Sequence, residues 1–177
     1  MAKKTKHNSA VLELLDYLFE GAALLPMPLE TPYAHMRRLR SWHPGDGPKI
    51  IWNLKKSGLV SVSEQNNRKF VKLTKKGELK ILMSKAAWQS SGKWDGRWRL
   101  IMFDIPEGSR KQRNLLRQLL KRAGFVMLQG SVFVSPHELN RQAVEYLKQT
   151  GLIEFVRMMR VDEMDDDRKL RKRFGLK

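Results

Sequence analysis

The chain has 177 residues, with 35 Lys and Arg against 18 Asp and Glu and a formal net charge of +17. It has no cysteine, which excludes a disulfide framework and a thiolate metal centre, and no apolar run near the ~20 residues of a membrane span or the core of a secretory leader. A cytoplasmic protein of one ordinary domain or two small ones is expected. The positive excess is shared: residues 1–90 carry 16 basic against 7 acidic residues, and residues 91–177 carry 19 against 11. Charge spread over both halves, rather than confined to a tail, suits a polyanionic partner, because basic surface gains affinity by releasing counterions from phosphates.

Residues 1–8, with Lys3, Lys4 and Lys6, read as a frayed basic arm. Asn8 or Ser9 can cap a first helix whose Val11, Leu12, Leu14, Leu15, Leu18 and Phe19 share one apolar face, with Gly21 as its stop. A loop with Pro26 and Pro28 leads to a second short helix from Thr31-Pro32, which carries Arg37, Arg38 and Arg40 and breaks at His43-Pro44-Gly45. Pro48 starts a third helix that ends at Ser57-Gly58, with Ile50, Ile51, Leu54 and Leu59 inward and Lys49, Trp52, Asn53, Lys55 and Lys56 among the positions left outside. Alternating Leu59–Ser63 and Arg68–Leu73 around Glu64-Gln65-Asn66-Asn67 predict a β-hairpin with a basic tip. A last helix begins near Thr74 and reaches Met83 or beyond.

Three helices followed by a hairpin, in the order found over residues 9–85, resemble the winged helix-turn-helix family, and residues 1–85 are read as such a domain. The resemblance implies that the third helix enters the major groove while the wing around Gln65–Lys69 touches the backbone or the minor groove. Asn53 is then the candidate for base contact, since an amide pairs bidentately with adenine. Lys49, Lys55, Lys56, Arg68 and Lys69 are the candidate phosphate contacts, with Arg37 and Arg38 beside them. Trp52 lies in the same set, with packing or a partner surface as its other expected role.

Residues 86–96 turn small and polar around Ser90-Ser91-Gly92 and read as a linker, with Trp88, Trp94 and Trp98 expected to pack the joint. Beyond it, a strand over 97–105, a helix from Ser109 to Ala123, strands Phe125–Leu128 and Val132–Ser135, a helix from Leu139 to Gln149 and a strand Ile153–Val161 give a β-α-β-β-α-β order. An α+β chain is therefore expected, with a ferredoxin-like domain over 97–177. Arg110, Arg113, Arg117 and Lys121 recur at spacings of three and four and form a second basic stripe. The tail D-E-M-D-D-D-R-K-L-R-K-R-F fits either a short helix or a disordered tether.

The run W-D-G-R-W-R-L-I-M-F-D-I-P-E, followed by R-Q-L-L-K-R-A-G-F and Q-G-S-V-F-V-S-P, resembles the central domain of PaaX-type transcriptional repressors. That domain is similar in turn to the small ferredoxin-like CRISPR-associated endonuclease of spacer integration. The winged helix placed before it matches the PaaX layout, whose members usually continue into another C-terminal domain beyond the point where this sequence ends. The resemblance implies a DNA-binding regulator acting as a homodimer on double-stranded DNA, without a cofactor.

In the CRISPR-associated relatives, the Asp closing the first strand is the proposed metal ligand, and Asp104 matches that position. An alternative is therefore a magnesium-dependent nuclease or adaptation subunit, with Asp104 as catalytic residue and metal ligand and Glu107 as the nearest second carboxylate. The competing role for Asp104 is to turn the chain at the strand end. His35, His43 and His137 show no metal-ligand spacing.

Overall fold

The computed structural model describes residues 2–20, 25–27, 46–65, 68–87 and 93–176. The chain divides into two compact units, Met1–Ser84 and Lys85–Lys177. Helix and strand mix in both, as an α+β chain requires.

The first unit opens with α1 (Ala2–Phe19). The helix starts well before the expected cap, so Asn8 and Ser9 lie inside it and the expected arm is helical from Ala2; the Ala-Lys-Lys-Thr-Lys opening holds good helix formers and no breaker. Leu14, Leu15 and Leu18 are buried against Ile50, Ile51 and Leu54 of α2 (Asp46–Lys56). Pro48 stands in the first turn of α2, where its missing N–H costs no helical hydrogen bond. At the other end Gly58 adopts φ 70°, donating from its N–H to Lys55 O, while Leu59 N–H reaches back to Leu54 O. This pair of bonds is a Schellman closure, and only glycine takes its left-handed position without strain.

The chain then forms β2 (Val60–Gln65) and β3 (Arg68–Leu73), paired antiparallel with Val62 opposite Val71 and Gln65 opposite Arg68. One strand was not expected: β1 (Leu25–Met27) adds to the other side of β3, giving the order β1-β3-β2. Pro26 sits opposite Phe70 on this edge strand, the place where a residue without an N–H is tolerated in a sheet. Val60 and Val71 complete the core, and α3 (Lys75–Lys85) closes the unit by burying Ile81 and Leu82. The second helix expected from Thr31-Pro32, and with it Arg37 and Arg38, lies outside the described residues.

The second unit runs β4 (Trp98–Phe103), a short 3-10 turn, α4 (Arg110–Arg122), β5 (Val126–Gln129), β6 (Val132–Ser135), α5 (Arg141–Gln149), a second 3-10 turn and β7 (Val156–Val161). The sheet order is β5-β6-β4-β7 and every pairing is antiparallel, the arrangement of a split βαβ unit. Leu116, Leu119 and Leu120 of α4 and Ala143, Tyr146 and Leu147 of α5 are buried with Ile101, Phe103 and Phe133 of the central strands. Ser109, where the helix was expected to begin, precedes α4 and makes no side-chain cap bond; Asn140 caps α5, accepting from Ala143 N–H at 2.8 Å.

The tail is helical: α6 spans Arg168–Phe174 and brings Phe174 against Trp98. Trp98 is buried, and its Nε1–H donates to Asp167 Oδ2 at 2.9 Å. Its ring lies 5.0 Å from that of Trp94 and 5.8 Å from Phe174. The Arg171 guanidinium stands 4.7 Å from the Trp94 ring centre and its Nε–H donates to Asp167 at 2.8 Å. Trp94 and Trp98, expected to pack the joint, therefore fasten the C-terminal helix within the second unit, because the tail supplies both the aromatic face and the acceptor they need. Trp88 lies outside the described residues.

Candidate nucleic-acid interface and the Asp104 cavity

The register of α2 is set by its core side. Ile50, Ile51 and Leu54 point inward, so at 100° per residue Lys49, Trp52 and Lys56 fall together on the opposite face, with Asn53 on one flank. Lys49, Lys55 and Lys56 are exposed, with Lys55 on the flank, and Asn53 is half-buried. Trp52 is 59% exposed, the highest value among the exposed large hydrophobic side chains of the described residues. Lys56 Nζ sits 4.9 Å from the centre of its ring, a cation–π contact between successive turns of one helix. At the helix end the Asn53 carbonyl accepts from Ser57 N–H at 2.9 Å and from the Ser57 hydroxyl. Lys76 Nζ donates to Ser57 O at 2.8 Å, placing a cation at the negative end of the helix dipole. Arg68 and Lys69 stand in β3 opposite Gln65 and Glu64, at the closed end of the hairpin. Their side chains lie outside the described residues.

The second basic stripe is less open than its spacing suggests. Arg110 and Lys121 are exposed at its two ends, while Arg113 and Arg117 between them are half-buried. Arg113 donates to Glu107 O at 2.8 Å, tying α4 to the turn before it, and Arg117 Nε is buried without a hydrogen-bond partner. The cause is angular: the stripe flanks the Leu116–Leu119–Leu120 face, so its middle turns lie against the body of the unit. On the sheet, Arg99 makes a two-pronged pair with Asp95, at 2.6 and 2.8 Å, and reaches Glu138 at 3.3 Å. That guanidinium holds the Asp95 carboxyl well below the usual carboxylate range.

Asp104 follows the last residue of β4 and is exposed. Its N–H donates to Phe155 O at 3.1 Å, a bond that continues the β4–β7 pairing one residue past the strand. Its side chain lines a cavity of about 430 Å³ together with Met102, Phe103, Glu154, Phe155 and Arg157. Among the described residues the second carboxylate of that wall is therefore Glu154, in place of the expected Glu107, which sits on the following 3-10 turn. Glu154 comes from the far end of the unit, brought beside Asp104 by the pairing of β4 with β7, and no local spacing could have revealed it. Two oxygen donors beside an arginine are few for a hard cation, and among the described residues no cluster of three or more His, Cys, Asp or Glu is placed to hold a metal.

With this geometry in hand, the family comparison falls on the second unit. Residues 91–172 match the family model of the PaaX protein central Cas2-like domain. The match takes in the whole sheet of the second unit together with α4 and α5. It also includes Trp94, Trp98, Asp104 and the first five residues of the C-terminal helix. No curated protein matches the chain. Among the described residues, no helix is long and apolar enough to cross a membrane.

Proposed function

We propose that this protein is a DNA-binding transcriptional regulator of the PaaX type, a repressor that grips duplex DNA as a homodimer. In this reading residues 1–85 form a winged helix-turn-helix and the PaaX-like unit supplies the two-fold contact that sets half-site spacing. The observation that carries it is the outward face of α2, where Lys49 and Lys56 stand beside an exposed Trp52 opposite the buried face, with half-buried Asn53 on the flank. A helix with one face in a core and a cationic, amide-bearing face in solvent has the chemistry of a major-groove reader. The family match supplies the regulator class, and the net charge of +17 supplies the long-range attraction. The test is selection of bound duplexes from a random pool, with oligomeric state measured alongside. Enrichment of an inverted repeat by a dimeric species is expected; a pool that stays random at moderate salt would overturn the reading.

A second reading rests on Asp104 and Glu154 sharing one cavity. Two such pairs, one from each protomer, could gather enough oxygen donors for a magnesium ion in a nuclease of the Cas2-like kind. Incubation of single- and double-stranded DNA with magnesium or manganese decides it. Under the regulator reading neither wild type nor Asp104→Asn cleaves, whereas cleavage lost in Asp104→Asn would establish the second.

A further inference from the structure

Among the described residues, Trp52 is the most exposed of the large hydrophobic side chains. A tryptophan buries 150–250 Å² when packed, and burial is where its area contributes. Here the ring is 59% exposed in the middle of a helix whose inward face is already filled by Ile50, Ile51 and Leu54. Its one described partner is the Lys56 ammonium over the ring, from the same helix and likewise exposed. An apolar plate held in water between Lys49 and Lys56 is suited to a ligand that offers phosphate to the lysines and something apolar to the indole.

The major groove contains little that is apolar. Base edges there present donors and acceptors, and the prominent apolar feature is the thymine C5-methyl group. Resting on the proposed duplex-reading role of α2, we infer that Trp52 reads thymine, packing its indole against that methyl group. Asn53, the next residue and about 100° round the helix, addresses a neighbouring adenine edge, and Lys49 and Lys56 take the flanking phosphates. The Lys56–Trp52 contact holds the ring in place in the free protein and gives way to a phosphate contact when DNA arrives. The side chain that looks least like a base reader, because it cannot hydrogen-bond through its face, thus supplies discrimination that lysines cannot.

The experiment compares the selected duplex with one in which deoxyuridine replaces each thymidine, a change that removes methyl groups and leaves the hydrogen-bonding edge intact. For wild type the uracil duplex is expected to bind about fourfold more weakly for each methyl contacted, the worth of burying one methyl-sized group. Trp52→Ala is expected to bind both duplexes alike, about tenfold or more below wild type on the thymine duplex. Trp52→Phe, which keeps an apolar plate, should retain part of the preference. Because the ring is exposed, these variants should keep the fold, which circular dichroism checks. Equal wild-type affinity for the two duplexes overturns the inference, as does a methyl preference that survives in Trp52→Ala. Tighter binding of single strands than of the duplex, abolished in Trp52→Ala, overturns it in favour of base stacking. The absence of any sequence-preferring duplex binding removes the proposed function as well, so the two failures are distinct.

Discussion

If the protein is the duplex-reading regulator proposed, side chains on α2 divide the work of recognition, and their substitutions should separate it. Asn53→Ala should cost about 1–3 kcal/mol on the selected duplex and relax preference at one base pair, because a bidentate amide contact distinguishes bases. Lys56→Ala should weaken every duplex alike and flatten the salt dependence by about one counterion per half-site. Binding isotherms across a salt series check both. A different residue governs the behaviour of the second unit in acid. Arg171, and after it the Trp98 indole N–H, hold the Asp167 carboxyl below its ordinary value. A carboxyl lowered in the folded state stabilises it above the ordinary carboxylate range and loses that contribution as pH falls through the lowered value. Asp167→Ala should therefore melt below wild type at neutral pH, and the gap should narrow as pH falls below the ordinary carboxylate range. Thermal melts at both ends of that range, followed by tryptophan fluorescence, read it directly.

Elements show where local pattern sufficed and where it did not. The α2 helix and the β2–β3 hairpin follow from apolar spacing, from Pro48 at one end and Gly58 at the other, and from alternation on both strands. The β-α-β-β-α-β order of the second unit was equally legible, because each element carries its own period and its own stop. The β1 strand was not, since three residues containing a proline show no alternation and are ordered only by pairing with β3. Nor could the sequence show that Trp94 and Trp98 serve the C-terminal helix, because Asp167 and Phe174 are some seventy residues away in the chain. The outward face of α2 was readable from helical period, whereas Glu154 beside Asp104 depends on sheet pairing.

One contact between elements makes a sharp prediction. A Cβ on Gly77 would meet Leu59 O at 2.2 Å and Leu73 Cδ1 at 2.7 Å. The backbone of α3 is that close because Thr74 N–H donates to Leu59 O, and the Thr74 hydroxyl donates to Gly58 O at 2.7 Å and accepts from Gly77 N–H. Gly77→Ala should therefore destabilise the first unit by about 1–3 kcal/mol, the range for overpacking against atoms that cannot yield. Denaturant melts give the value. The second unit, whose core is separate, should keep its own transition.

At the scale of the whole molecule, charge and family meet. An excess of +9 in residues 1–90 and +8 in residues 91–177 gives both halves an attraction for phosphate, but attraction alone does not select a site. Under the proposed function, selection falls to the outward face of α2, while the second unit, similar over residues 91–172 to the PaaX central domain, pairs the protomers. The most direct test is the ratio of affinities for the selected duplex and a scrambled duplex of equal length and composition, measured at physiological salt. This account predicts a ratio of about a thousandfold or more, falling sharply in Asn53→Ala. Equal affinity for the two duplexes would contradict it, leaving only a basic protein that holds DNA without reading it.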